Sequence, residues 1–193
     1  MSRPKPRTQF AIQSRILHWL MAAMLLAMLF IGVTMVASLG HYHLLVAIHR
    51  PLGIAILVLA VIRFVNRLCT KLPPFPPTMS RQERFLASSS EKLLYALMFI
   101  LPLIGWGMLS AGHYPIVMFG PVHLPPILPA NPMLYAFLRQ AHTVLAFLLF
   151  ATFLAHLGAV LFHTVIIRDR LLDRMALWPT RSRQQRELPS IPD

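Results

Sequence analysis

Imidazole is the commonest side-chain metal ligand and an expensive guest in an apolar segment. The placement of nine histidines in a chain that is 56% hydrophobic and 12% charged is therefore its most informative feature. Four of them, His18, His49, His142 and His156, lie inside long apolar runs. His142 and His156 share one run and are fourteen residues apart. On an α-helix that separation is about 21 Å of rise, and the second ring returns to within about 40° of the first. The two rings thus face one side at different depths, as a pair of ligand sites stacked along a helix requires.

The elements that must position them are long apolar helices. The 193 residues have a mean hydropathy of +0.63, and Ile16 to Leu39 holds no Asp, Glu, Lys or Arg. Spans are expected at about 16–39, 44–62, 93–109 and 137–167, against the roughly 20 residues that cross a hydrocarbon core, the last being long enough to extend beyond it. The first is too long for a signal-peptide core and reads as an uncleaved span despite its basic flank. Leu72-Pro-Pro-Phe-Pro-Pro-Thr78 cannot continue a helix. Pro102 is tolerable within a span but is expected to kink it. The uncharged, proline-rich stretch between Gly112 and Met133 is expected to form an irregular loop against the outer face. Residues 1–179 make one membrane domain, and 180–193 a polar, disordered tail. The expected fold is an all-α bundle of four transmembrane helices.

Sixteen of the eighteen Lys and Arg fall in the N-terminal segment, the 63–92 connection and the segment after Ile167. Positive loops stay inside, so both termini are expected in the cytoplasm. The net charge of +12 flanks apolar runs rather than forming a soluble basic face, which favours anionic lipid over nucleic acid. Cys69 has no partner within the chain and reads as a reduced, lipid-shielded or packing thiol. A disordered chain or a disulfide scaffold is excluded by the same composition.

With that orientation the histidines pair by depth. His18 can meet His156 near the cytoplasmic side, and His49 can meet His142 near the outer side. Two imidazoles are too few for closed zinc coordination, but they complete the two axial positions of a haem iron. Two b-type haems, each held by one pair, are the economical reading; the alternative is four buried histidines satisfied by serine or backbone partners. Gly53 and Gly158 are the glycines expected to let a macrocycle approach the backbone. His41, His43, His113 and His123 lie in or beside the outer loops and are expected to be solvated. His163 follows His156 by seven residues and could bind a quinone carbonyl or a propionate, or snorkel to the interface. Arg50 and Arg139, alone near the outer side, could pair with propionates or attract an anion; Arg15 stands to His18 as Arg139 does to His142.

His18-Trp19, His49 with Gly53, the His142 to His156 spacing, and the closing stretch Arg168-Asp-Arg-Leu-Leu-Asp-Arg-Met175 before Pro179 together resemble the bacterial cytochrome b561 family over about residues 8 to 179. The resemblance implies a multi-pass protein of the bacterial inner membrane with two b haems and quinone as redox partner. One branch acts as a superoxide oxidase, passing electrons from periplasmic superoxide to ubiquinone, and there the matching axial ligands are His18, His49, His142 and His156. The proline-rich loop and the tail after Pro179 depart from that branch, which leaves the electron donor open. Two other functions compete: a cytochrome b anchor subunit fed by a partner dehydrogenase or hydrogenase, and a histidine-lined metal transporter, disfavoured by the lack of an intramembrane carboxylate. A hydrolase is unsupported, since no nucleophile is paired with a histidine in a recognised motif.

Overall fold

The computed structural model describes residues 9–76, 79–169 and 171–178. The proposed tail at 180–193 and the basic residues Arg3, Lys5 and Arg7 lie outside them. Four long helices account for most of the described chain: α1 (Ile12–Ala37), α2 (Tyr42–Cys69), α3 (Arg81–Ala111) and α4 (Pro132–Leu161). A π-helical turn, Phe162–Ile167, prolongs α4, and a short 3-10 turn, Leu171–Arg174, follows. All four helices are long and apolar enough to cross a membrane. Large apolar side chains such as Phe30, Val36, Phe137 and Phe147 point outward. Such a surface would drive aggregation in water and suits lipid.

Each expected apolar run maps to one helix, but the bounds differ: α1 stops at Ala37, two residues before the expected Leu39, the fourth run continues from α4 into the π turn, and α2 and α3 are longer than their runs. The largest difference is in α3, which starts at Arg81 rather than near residue 93. Its start is set by a capping box: the Ser80 hydroxyl accepts from the Glu83 backbone N–H at 3.2 Å, and the Glu83 carboxylate accepts from the Ser80 N–H at 2.6 Å. This satisfies two donors that a helix start otherwise leaves unpaired. At α4 the Asn131 side chain accepts from Leu134 N–H at 3.0 Å, and Pro132 occupies the first turn, where its missing N–H costs nothing.

Helix α1 packs mainly on α2, and α3 mainly on α4, with α2 touching α3. Met21, Leu25, Ile56, Leu59, Ala60, Leu97, Met98, Leu101 and Leu149 form the core from all four helices. Leu149 is seven residues from both His142 and His156, about 10 Å of rise from each. The core is thus an apolar belt between the two histidine depths. Polar ties cluster beyond it: Asn66 donates to the Ser14 hydroxyl at 2.8 Å, and Arg67 pairs with Glu91.

At the end of the bundle bearing residues 9 and 178, which we call the terminal end, the 171–176 segment crosses the start of α1. Gln9 donates to the Asp173 carbonyl at 2.9 Å, Phe10 N–H to Arg174 at 3.1 Å, Arg15 to Ala176 at 2.6 Å and Trp19 to Met175 at 2.8 Å. Arg174 in turn donates to the Pro74 carbonyl at 2.5 Å. At the opposite end the proline-rich loop folds back on α3. Val117 and His123 form an antiparallel bridge, Trp106 donates to the Pro125 carbonyl at 2.9 Å, and Ile127 N–H donates to the Ser110 hydroxyl at 3.1 Å. Gly107 admits Leu128: a Cβ there would stand 2.9 Å from the leucine Cδ1.

Candidate functional site

Each of the four core-facing histidines is carried on a helix whose neighbours hold it at one depth. The structure brings His18 of α1 to His156 of α4, with ring centroids 6.5 Å apart, and His49 of α2 to His142 of α4, at 6.2 Å. Two imidazoles reaching one metal atom from opposite sides, each bonded at about 2.0 Å and with a ring radius near 1.1 Å, would have centroids about 6.2 Å apart. Both pairs match that separation. The helices bearing each pair, α1 with α4 and α2 with α4, are not among the closely packed ones, so the rings meet where the backbones stand apart.

The chemistry of the donors agrees. His49 Nδ1 and His142 Nδ1 are buried without a hydrogen-bond partner. At His49 no serine or backbone group satisfies the buried Nδ1, and an unpaired buried polar atom is costly. Among the described residues no cluster of three or more His, Cys, Asp or Glu could hold a metal ion, so a bare divalent ion has no complete site there. The donor sets fit a metal that brings its own equatorial ligands, as haem iron does.

The close approach of backbone to a histidine comes from a glycine that the sequence did not single out. Gly105 of α3 lies against His142, and a Cβ there would stand 3.4 Å from Cε1 and 3.7 Å from Nδ1. Gly53 faces Met28 instead, at 3.7 Å from a built Cβ, and Gly158 has no heavy atom within 4 Å of one. No spacing rule links residues 105 and 142, which meet only through the packing of α3 on α4.

A second residue missed from sequence is Arg63. Its Nη1 lies 3.4 Å from His18 Nδ1, and its guanidinium sits over the Tyr95 ring, 5.6 Å from the centroid. Arg15, which shares the helix of His18, is instead committed to the Ala176 carbonyl. That bond uses one of its five donors and ties α1 to the chain segment after α4.

At the opposite end Arg50, next to His49, donates to the Pro115 carbonyl at 3.3 Å and so ties α2 to the loop. Arg139 is exposed, three residues before His142. His163 does not snorkel: it is buried, and its Nδ1 lies 2.6 Å from the Asp169 carboxylate, within the turn that ends at Arg168 in the left-handed conformation. His41, His43, His113 and His123 are exposed. His123 Nδ1 lies 2.8 Å from the Pro121 carbonyl and His41 Nδ1 lies 3.3 Å from the Ser38 hydroxyl.

The comparisons with known proteins give the chain a family. The family profile described as prokaryotic cytochrome b561 matches residues 9–177. Cytochrome b561 homolog 2 of Escherichia coli (strain K12) is 28% identical over 178 residues, 91% of this chain and 95% of the relative. A protein of Yersinia pestis named probable superoxide oxidase CybB is 33% identical over 66% of this chain and 72% of its own. Cytochrome b562 of Cereibacter sphaeroides is 26% identical over 82% of this chain and 89% of its own. With four long apolar helices and a profile match over nearly its whole length, the chain belongs to the prokaryotic cytochrome b561 family, membrane cytochromes b that carry electrons.

Proposed function

We propose that the protein is a di-haem superoxide:quinone oxidoreductase of the bacterial inner membrane, with both termini cytoplasmic. The observation that carries this reading is the pair of histidine pairs at 6.5 and 6.2 Å, one at each end of the bundle. His18 with His156, and His49 with His142, hold one b haem each. When bound there, haem supplies a one-electron ferric/ferrous couple.

The chain's own residues set the rest. Two imidazoles at each site would leave a bound haem iron no free position, so reactants would meet the group at its edge. The leucine-rich core around Leu149 excludes water between the two sites and keeps the path apolar. Arg50 and Arg139 place positive charge on an otherwise uncharged outer face, which attracts an anion such as superoxide. Two superoxide ions each give up one electron to become dioxygen. One quinone takes both electrons and two protons to become quinol. His163, its Nδ1 held by Asp169, is the residue we assign to the quinone carbonyl, leaving Nε2 for that contact. The name of the Yersinia relative supports superoxide as the donor. The basic terminal end suits the anionic cytoplasmic leaflet.

A reduced-minus-oxidised visible spectrum of the purified protein, with a pyridine haemochrome count, tests the reading. Two b haems per chain are expected. Colourless protein from cells supplied with haem overturns it.

A further inference from the structure

The two histidine pairs are chemically unequal. At the terminal-end pair a guanidinium nitrogen of Arg63 stands 3.4 Å from His18 Nδ1 in a part-buried setting; at the other pair the cation beside His49, Arg50, donates to the Pro115 carbonyl in an exposed one. A metal-bound histidine ordinarily donates its second N–H to a carboxylate or carbonyl, which raises the basicity of the ligand. Arginine has five donors and no acceptor and stays charged at any accessible pH. It cannot take that role, and it does the reverse. Arg63 is held in place by the Tyr95 face, and among the described residues no carboxylate forms an ion pair with it, so its charge is not cancelled nearby. The setting is partly buried, where a charge is screened less than in water.

We propose that Arg63 tunes the terminal-end haem, raising its reduction potential above that of the haem at His49 and His142. The inference rests on the di-haem reading of the preceding subsection. Two effects act with one sign. Adding an electron to a bis-histidine ferric haem removes one positive charge, so a neighbouring fixed cation favours the ferrous state. A cation against His18 also makes the imidazole a poorer donor to iron, which again disfavours the ferric state. Electrons entering at the outer pair therefore come to rest at the terminal end, and Arg63 gives the bundle its direction. Arg63 acts through His18 and is a positioning and tuning residue, not one that touches the reactants.

The test is potentiometric titration of the purified holoprotein, followed in the visible spectrum. Arg63→Gln, Arg63→Lys and His156→Ala are compared with the wild type, the last variant identifying the terminal-end haem by its loss. Arg63→Gln should shift the midpoint of that haem downward and leave the other unmoved, while Arg63→Lys, which keeps the charge, should stay near wild type. Unmoved midpoints in Arg63→Gln, equal shifts of both haems, or a wild-type terminal-end haem that titrates below the other overturn the proposal. Should Arg63→Gln lose the terminal-end haem, its return at the wild-type potential in Arg63→Lys supports the role of charge. Loss in both variants overturns it and leaves a packing role. A wild-type protein without two b haems sinks the di-haem reading itself and is distinguishable from all of these.

Discussion

Gly105 of α3 lies edge-on against the imidazole of His142 on α4, so close that a Cβ at position 105 would stand 3.4 Å from Cε1. That is ordinary contact for a methyl group but leaves no room for a branched side chain. Gly105→Ala should keep both haems, whereas Gly105→Val should displace His142 and lose or weaken the outer one. A haemochrome count on the two variants decides this, and full haem content in Gly105→Val would show that the contact does not constrain the ring.

The apolar belt around Leu149 separates the two sites by about 21 Å of helix rise along α4. Each pair should therefore act independently in binding. His156→Ala is expected to halve the haem content and leave the second haem's spectrum intact, and His142→Ala to do the same in reverse. Loss of both haems from either variant would mean that the bundle needs one site filled to form the other.

Arg139 is exposed and is the cleaner test of anion attraction, because Arg50 also ties α2 to the loop. Arg139→Gln should slow superoxide consumption by about twofold to tenfold at low salt and flatten its ionic-strength dependence, as expected when one steering charge is removed. The quinol-side reaction, assayed separately, should not change. An unaltered salt dependence would remove Arg139 from the approach path.

Trp19 fastens the segment after α4 to α1 through its indole N–H and the Met175 carbonyl at 2.8 Å. Trp19→Phe keeps an aromatic ring, smaller than the indole, and deletes that bond, whose loss alone costs about 1 kcal/mol. The expected result is a lower thermal midpoint in detergent with haem content unchanged. Loss of haem at equal stability would instead place Trp19 in the His18 site.

Long-range pairing by depth was legible in the sequence because the helix is a ruler. Fourteen residues on α4 must put His142 and His156 on one side at two depths, whatever surrounds them. Hydropathy located four helices for the same kind of local reason: the cost of burying backbone and charge in lipid acts on each segment alone. The start of α3 was also written locally, in Ser80 and Glu83, although the apolar run by itself points twelve residues too late. Side-chain neighbours across helices are different. Arg63 beside His18, Gly105 beside His142, and Arg15 turned to Ala176 all join residues whose separation along the chain carries no geometric rule. Likewise His163 lies buried against Asp169 because α4 ends in a π turn and a left-handed residue, a termination that its apolar composition does not announce. Spacing along the sequence determined which way the histidines face and how deep they lie. Only the tertiary structure, through helix rotation and packing, decided which charges and which backbone stand next to them.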